Sequence, residues 1–375
     1  MRYLITLILS SLLINSLYCS FQATIFSRMN KEKKGENLII SPLSIFQALS
    51  LAANGAKEKT QSEMLEVLQS ETIDELNELN YKILSEFKKF TAIEIANAVM
   101  TKFSPLKDFS DIALKYLAPI EPLDSVEQVN NWCSNKTHGK IDKILEQLNP
   151  STVMLVLNAV YFKGEWASKF ETYGTQKLPF YNFGNEETEI DTMDQIDHFG
   201  YYEDKKVQAI ELKFLNDSMS AIIILPAEGT DINKYIDTLS ISNEEYNKII
   251  EGLNNFKVHI QLPKFELEFK ENLNDALISL GMYNAFDENN ADFTGLREEG
   301  HIFINQVIHK TYLKVFEDGC EAAAVTVIDF AENSIPRPEK IYDMKVNRPV
   351  LFLLKNYRLP TGYDLVFMSK IEKFE

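Results

Sequence analysis

Positions 319–338 read Gly-Cys-Glu-Ala-Ala-Ala-Val-Thr-Val-Ile-Asp-Phe-Ala-Glu-Asn-Ser-Ile-Pro-Arg-Pro and follow a strand-like run, Ile302 to Phe316, near the end of a 375-residue chain. Every second side chain from Cys320 to Phe330 is small or apolar, whereas Glu321 and Asp329 fall on the opposite face, as in a strand with one buried face. Turn-forming residues, including two prolines, then follow. The pattern is typical of an edge strand with an irregular exit, or of an exposed loop that can later become a strand.

The composition is that of a folded protein with an acidic surface. Hydrophobic residues make up 45% of the chain and charged residues 25%, and only 14 Gly and 12 Pro are present, which leaves no room for a long linker. The net charge is −17. Because phosphate backbones and anionic membranes attract clustered Lys and Arg, we expect neither nucleic acid nor a membrane as a partner.

The N-terminus has the pattern of a secretory signal peptide. Arg2 precedes an apolar segment, Leu4 to Leu17, which is too short to span a bilayer comfortably. We expect residues 1–20 to be a signal peptide cleaved near Ser20, and the mature protein to be secreted and extracellular. The alternative is that Leu17 belongs to one amphipathic helix with the residues after it, and that nothing is removed.

The chain has too few cysteines for a disulfide framework. Cys19, Cys133 and Cys320 are the only three, and their spacing matches no zinc motif. Two possible glycosylation acceptors, Asn135 and Asn216, agree with a secretory route, although such sequons often arise by chance.

Helical patterns dominate the first third of the chain and strand patterns the remainder. Thr152 to Tyr161 is apolar on both faces, which predicts a central strand of a large sheet. Ser41 and Pro42 predict a capped helix start, and Lys140 to Leu148 reads as a short helix. With no repeat and no credible linker, we predict a single α+β domain over residues 21–375.

No catalytic motif is present. The sequence lacks a nucleophile elbow, a zinc-protease motif, a phosphate-binding loop and a dinucleotide fingerprint, and it contains only five histidines. We therefore expect no enzymatic activity, no cofactor and no metal site.

Several separated motifs, in order, resemble the serpin family of serine protease inhibitors. The resemblance covers Phe21 to Glu375 and rests on four segments: Asn37 to Ser44, Leu157 to Trp166, Asp318 to Ala324 and Asn347 to Phe352. It implies a metastable single domain with three β-sheets, about nine helices and an exposed reactive-centre loop at about 317–342.

The resemblance also implies a mechanism. A target serine endopeptidase attacks the loop and forms an acyl-enzyme, and the cut loop then inserts into the main sheet and traps the protease as a covalent complex. We expect the inhibitor itself to be a monomer.

The hinge is the part of the loop that enters the sheet first. By resemblance it comprises Glu317, Gly319, Cys320, Glu321, Ala322, Ala323, Ala324 and Val325. These residues are mostly small. The loop contains no proline from Gly319 to Ile335, so every backbone amide in that range can join a β-ladder. Cys320 departs from the usual Thr or Ser and adds sensitivity to oxidation.

Two further groups are carried over from the family. Ser41, Ser44, Asn158 and His309 match the shutter, a polar cluster beneath the sheet opening, and Trp166 matches the breach, where the hinge enters. Buried polar groups of this kind must be hydrogen-bonded to one another.

The scissile bond is predicted at Asn333–Ser334, counting from Gly319 by the family's usual spacing. Phe330, Arg337 and Lys340 are alternative scissile residues for shorter or longer loops. Two other functions stay open: a non-inhibitory carrier or chaperone with the same fold, and a cross-class inhibitor of cysteine proteases. The acidic start of the predicted helix at Asp74 to Phe90 argues against heparin activation.

Overall fold

The computed structural model describes residues 20–87, 89, 93–184, 186–215, 218–241, 243–299, 301–320 and 339–375. Several of the sequence predictions lie outside these residues: the signal peptide up to Cys19, Asn216, hinge residues Glu321, Ala322, Ala323, Ala324 and Val325, and the candidate scissile residues Phe330, Asn333, Ser334 and Arg337. Glu317, Gly319 and Cys320 at the start of the loop are described, as is Lys340 at its end.

Nine α-helices occur within the described residues. They are α1 (Phe21–Glu32), α2 (Pro42–Ala53), α3 (Glu58–Val67), α4 (Ile73–Phe87), α5 (Lys107–Lys115), α6 (Val126–Lys136), α7 (Ile232–Ile241), α8 (Asn243–Gly252) and α9 (Asn274–Ser279). As predicted, Pro42 is the first residue of α2, and the Ser41 hydroxyl accepts a hydrogen bond from the Ser44 amide. Over this part of the chain, none of the helices has the length and apolarity needed to cross a membrane.

One large sheet contains nine strands. They are β1 (Leu38–Ile40), β6 (Gln176–Tyr181), β7 (Glu187–Glu203), β8 (Val207–Lys213), β9 (Met219–Pro226), β10 (Asn254–Pro263), β14 (Tyr342–Lys345), β15 (Val350–Asn356) and β16 (Leu365–Ile371). Their order across the sheet is β1-β16-β15-β9-β8-β7-β10-β14, and β6 pairs with β7. Strands β8 and β9 form an antiparallel hairpin. The edge strand β14 directly follows the loop region.

The remaining strands form three smaller ladders. The strands are β2 (Ile93–Thr101), β3 (Ile120–Pro122), β4 (Met154–Phe162), β5 (Gly164–Glu165), β11 (Phe265–Asn272), β12 (Ile308–Val315) and β13 (Gly319–Cys320). They pair as β3-β2-β4, β11-β12 and β13-β5. Within the described residues, nine helices and several sheets in one domain confirm the predicted α+β class.

Two apolar clusters lie on the two faces of β4. The main core includes Phe162 and the partly buried Met154 and Val156. The second core, which lies under α6, includes Leu155 and Leu157. A strand whose alternate residues enter two different cores reads as continuously apolar, which explains the run seen in the sequence.

The predicted helix at Lys140 to Leu148 is wrong, because this segment is irregular. The Asn130 side chain on α6 accepts hydrogen bonds from the amides of Ile144 and Leu145, each at 2.9 Å, and donates to the Leu145 carbonyl at 2.8 Å. These long-range bonds take the place of the helical ladder.

The strand-like run at Ile302 to Phe316 is only partly a strand. β12 begins at Ile308, and residues 301–307 have no regular structure. On the other side, β4 pairs with β2 alone within the described residues, so its second edge faces this irregular segment. Of residues 301–307 only Ile302 is buried and 303–307 are half-buried, and backbone pairing depends on a neighbouring strand that the local sequence does not reveal.

Candidate functional site

The candidate site is the space between β4 and residues 301–309, which we call the gap. It holds a cavity of about 150 Å³ lined by side chains from α2, β4 and the irregular segment, among them Ser44, Leu49, Met154, Val156, Ile302 and His309. No ladder joins β4 to β12 among the described residues. The gap is therefore bordered by two strands whose facing edges can each accept a further strand.

The hinge begins at the top of the gap. Gly319 and Cys320 form β13, which pairs antiparallel with β5, Gly319 opposite Glu165 and Cys320 opposite Gly164. A two-residue turn connects β12 to β13, because the Phe316 and Gly319 backbones exchange hydrogen bonds at 3.0 and 3.1 Å. The first two residues of the predicted insertion strand thus already lie in a ladder.

Trp166 holds the turn between β12 and β13 in place. Its indole N–H donates to the Phe316 carbonyl at 3.0 Å, and its backbone N–H donates to the Asp318 carbonyl at 2.9 Å. The ring is 1% exposed and stacks on Phe214 with the centroids 4.5 Å apart. The residue predicted for the breach therefore contacts the base of the loop directly.

Glu317 is buried in this turn and is neutralised by partners from distant segments. Its carboxylate accepts hydrogen bonds from the Thr175 hydroxyl at 2.7 Å and the Lys264 ammonium at 2.9 Å. Burial raises the pKa of Glu317, but the bonds from Thr175 and Lys264 outweigh burial, so the pKa lies below its usual value. Sequence reasoning missed Thr175 and Lys264, because nothing near either residue signals the long-range contact.

A second ion pair, also missed from the sequence, holds the same turn. The Lys169 ammonium lies 2.9 Å from the Glu165 carboxylate and 3.3 Å from that of Asp318. Asp318 belongs to the base of the loop and Glu165 to β5. Lys169 therefore connects the base of the loop to β5, next to the ladder between β5 and β13.

Gly319 occupies a position that other residues fit poorly. Its φ is +147°, and a Cβ added to it would lie 2.0 Å from the Gly164 carbonyl oxygen. Only glycine combines this backbone conformation with so close an approach to β5.

Cys320 fixes which face of the hinge points inward. It is 1% exposed and lies in the main core, as does its neighbour across the turn, Val315. Burial raises the pKa of the Cys320 thiol well above its usual value, so little reactive thiolate forms while the hinge is in this position. The second free cysteine, Cys133, is buried in the second core.

The shutter residues whose side chains are described lie together beside the start of β12. Ser41, Ser44 and His309 are all buried, and the Ser41 backbone N–H donates to His309 Nε2 at 3.0 Å. Nε2 therefore carries a lone pair and the imidazole is neutral. Burial lowers the pKa of His309 to about 3. Asn158 lies in β4 opposite Asn97 in the ladder with β2.

Two other predicted sites lie on the surface. Lys340 is exposed, with its ammonium 3.8 Å from the centre of the Tyr342 ring. Asn135 is exposed near the end of α6, but the hydroxyl of Thr137, the third residue of its sequon, is bonded to the Cys133 carbonyl.

Replacement of Gly319 by alanine tests the fit of the hinge. We expect Gly319→Ala to lower the free energy of unfolding by about 2–4 kcal/mol, combining an unfavourable φ with a backbone collision. The matched control is Gly229→Ala, which has a φ of +78° but open space around the added Cβ. Denaturant unfolding should show a smaller loss for the control, about 1–2 kcal/mol; equal losses would contradict the collision.

His309 makes a pH-dependent contribution to stability. The unfolded chain takes up a proton near pH 6.5 and the folded protein only near pH 3. The contribution is therefore complete above pH 6.5 and is lost as the pH falls towards 3. When the pH falls from 7 to 4.5, we expect the free energy of unfolding to decrease by about 2–3 kcal/mol more in the wild type than in His309→Gln. The control is His138→Asn, which replaces an exposed histidine just after α6; equal acid sensitivity in the wild type and His309→Gln would refute this assignment.

Comparisons with known proteins agree with this geometry. The family model described as "Serpin (serine protease inhibitor)" matches residues 16–372. The leukocyte elastase inhibitor of Xenopus laevis is 30% identical over 363 residues, which cover 92% of this chain and 95% of the relative.

Solved structures with the same fold include one relative in two states. The thermophilic serpin Tengpin is 30% identical, and its native state has a TM-score of 0.84, covering 96% of this chain and 94% of that one. Its latent state has a TM-score of 0.79, and the match covers 95% of this chain and 96% of that one. Thyroxine-binding globulin in complex with thyroxine shares the fold at a TM-score of 0.81 and 23% identity, covering 96% of this chain and 99% of that one. The match over nearly the whole length shows that this chain belongs to the serpin family, whose members are serine protease inhibitors and not enzymes.

Proposed function

We propose that this protein is a secreted suicide-substrate inhibitor of a serine endopeptidase, which traps the acyl-enzyme by inserting its cleaved loop into the gap. The observation that carries the proposal is the antiparallel pairing of Gly319 and Cys320 with β5 at the top of the gap. A strand that continued from this start would run down between β4 and β12.

The pairing at each border of the gap sets the register that such a strand would have. Continuing the pairing of Cys320 with Gly164 down β4 brings Thr326 opposite Asn158. Continuing the turn between Phe316 and Gly319 down β12 brings Thr326 opposite His309. Thr326 would therefore lie between two residues that the family resemblance assigns to the shutter.

The side chains on the inward face suit insertion. With Cys320 inward, period two brings Ala322, Ala324 and Thr326 inward as well. These residues are small enough to pass between existing strands. Each backbone hydrogen bond formed with β4 or β12 adds about 0.5–1.5 kcal/mol, so insertion of a whole strand is strongly favourable.

The proposed secretion rests on the N-terminal pattern and on where the fold begins. Helix α1 starts at Phe21 and is capped by the Ser20 hydroxyl, so cleavage near Ser20 would leave the helical residues in place and remove at most the cap. The pattern of Arg2 followed by a short apolar segment supports the same boundary.

Charge placed on one face of the hinge should separate inhibition from simple cleavage. We expect Ala324→Arg, on the inward face, to convert the protein from an inhibitor into a substrate, because a buried guanidinium would oppose insertion. Val325→Arg, on the opposite face, is the matched control. Both variants are mixed with a panel of serine and papain-like cysteine proteases, and denaturing gels report the covalent adduct.

The wild type and Val325→Arg should form the adduct, and the released C-terminal fragment should begin at Ser334. Ala324→Arg should be cut with at least a tenfold lower adduct yield. Cleavage of the wild type by every protease without an adduct would contradict the proposal. Adducts with cysteine proteases alone would identify a cross-class inhibitor.

A second cavity favours a carrier function as the alternative. It measures about 340 Å³ and lies among α1, α7, α8 and the strands β15 and β16, with apolar walls that include Phe26, Ile250 and Leu353. The Tyr246 hydroxyl in its lining is buried and has no hydrogen-bond partner among the described residues. Lys355 also lines the cavity and pairs with Asp364. The expected ligand is a small apolar molecule with one acceptor or anionic group.

The fluorescent probe 1-anilinonaphthalene-8-sulfonate tests the carrier alternative, because it joins an aromatic body to one sulfonate. Carriage predicts saturable binding that weakens about tenfold in Tyr246→Phe, which removes one hydrogen bond. Tyr283→Phe, at an exposed position outside the cavity, is the control. Equal binding by both variants would exclude this site.

A further inference from the structure

An irregular segment covers one face of the gap. Residues 140–148, which we call the strap, lie between α6 and β4 in the chain. Ile144 and Leu145 of the strap line the cavity of the gap, as do Ser44 and Leu49 of α2. The cavity is therefore enclosed by the strap as well as by α2.

The alternation of side chains along β12 places α2 and the strap on opposite faces of the gap. His309 accepts a hydrogen bond from the Ser41 backbone at the start of α2, whereas the next residue, Lys310, donates to the strap. Successive side chains of a strand point to opposite faces of its sheet. A strand inserted beside β12 would therefore have α2 on one face and the strap on the other.

The strap is held firmly on the side of α6 and β4. The Asn130 side chain on α6 makes three hydrogen bonds to the backbone of Ile144 and Leu145, at 2.8 to 2.9 Å. Ile144 and Leu145 are also buried in the second core, together with Leu155 and Leu157 of β4. The strap is therefore fixed to this border of the gap by polar and apolar contacts.

Lys310 makes a polar contact between the strap and the other border of the gap, β12. Its ammonium donates to the Lys143 carbonyl at 2.7 Å and pairs with the Glu268 carboxylate on β11. The Lys310 side chain is only 6% exposed, although Lys143 and Glu268 lie at the surface. A buried ammonium needs acceptors in place of water, and the strap carbonyl supplies one of them.

Weaker contacts accompany this hydrogen bond. The half-buried Lys140 ammonium lies 5.6 Å from the centre of the Tyr312 ring on β12, and Ile308 and Tyr312 are partly buried against the second core. A cation–π pair near the surface contributes less than a hydrogen bond between a buried charge and its acceptor. The Lys310 bond is therefore the strongest of the described polar contacts between the strap and β12.

An inserted strand needs more room than the gap offers. Cα atoms of β4 and β12 come within 8 Å of each other, whereas two strands that flank a third lie about 9.6 Å apart, twice the usual spacing. β4 and β12 must therefore move apart, although the strap is bonded to both borders. Because Asn130 makes three hydrogen bonds on one side and Lys310 makes one on the other, the contact with β12 is the one that yields.

The sequence of the loop suits entry beneath the strap. In the register that the two borders set, Val327 comes opposite Leu157 of β4 and Ile308 of β12. Both of these residues contact the second core, which also contains Ile144 and Leu145 of the strap. An apolar side chain at position 327 would therefore join the core that the strap covers, once β12 has moved.

We propose that Lys310 is a tether between β12 and the strap, that its bond to Lys143 breaks when a strand enters the gap, and that this bond sets the rate of insertion. This role rests on the insertion mechanism proposed for the loop. Lys310 acts through the position of β12 and not through contact with a protease, so it is a positioning residue. After the bond breaks, the strap stays on α6 and β4, and β12 is free to move away from β4.

Entry of a peptide into the uncleaved full chain tests the tether without a protease. A fluorescently labelled, N-acetylated peptide of residues 321–332 supplies the strand that would follow β13, as in the addition of a peptide strand to an open sheet edge. Lys310→Met keeps the apolar stem of the side chain and removes the ammonium, and the exposed Glu268 can then be solvated by water. We expect the peptide to enter the variant about tenfold faster than the wild type, because a hydrogen bond to a charged group no longer opposes the widening of the gap.

Lys314→Met is the matched control. Lys314 lies four residues further along β12, on the same face of the strand, and pairs with Glu266 on β11 at 2.9 Å. Its substitution removes the same charge from the same strand and leaves the bond between Lys310 and Lys143 intact. The control should take up the peptide at the wild-type rate, and equal rates in the two variants would overturn the tether.

Hydrogen exchange reports which side of the strap is released. The amides of Ile144 and Leu145 are bonded to Asn130, so they should keep their wild-type protection in Lys310→Met. Loss of that protection would overturn the proposal, because the strap would then have separated from α6 as well as from β12.

Failure of the tether and failure of the proposed function give different results. Faster peptide entry in Lys310→Met, together with no adduct between the wild type and any protease, would support the tether and count against inhibition alone. Equal peptide entry in all three proteins, together with a wild-type adduct, would overturn the tether and leave inhibition standing. Entry into none of the three would also overturn the tether, since the gap would then accept no strand.

Discussion

The unpaired backbone along the gap is the constraint on which the rest of this structure depends. β4 has a partner on one side only within the described residues, and β12 pairs with β11 but has no ladder to β4. Buried backbone groups without partners are costly, and a strand that pairs with both edges removes that cost at once. The fold therefore holds a place for one more strand, and the hinge is the segment already directed into it.

The contacts at the top of the gap hold the hinge at its entrance. Trp166 donates a hydrogen bond to the turn after β12. Lys264 and Thr175 donate hydrogen bonds to the Glu317 carboxylate, and Lys169 connects Asp318 to β5. Each bond joins the loop base to a segment that is distant in sequence. Near the start of β12, a neutral His309 accepts a hydrogen bond from the Ser41 backbone N–H, which gives this buried imidazole a partner. The start of the hinge is thus held by polar contacts beside an incompletely paired sheet.

Local patterns in the sequence predicted the parts of this site that depend on short-range rules. The capped start of α2 at Ser41 and Pro42 and the inward direction of Cys320 follow from cap and period-two patterns. Lys264, Thr175 and Lys169 could not be predicted, since their partners lie far along the chain. The same limit explains residues 140–148, where Asn130 replaces the expected helical bonds. The apolar character of residues 302–307 could not indicate whether a pairing strand was present.

The most direct test of the central claim is a crystal structure of the protein after its loop has been cut by a single protease. The account predicts a new strand between β4 and β12, continuous with β13, with Thr326 opposite Asn158 on one side and His309 on the other. A cleaved loop that remains outside the gap, or one that enters in a shifted register with its alanines facing solvent, would contradict it.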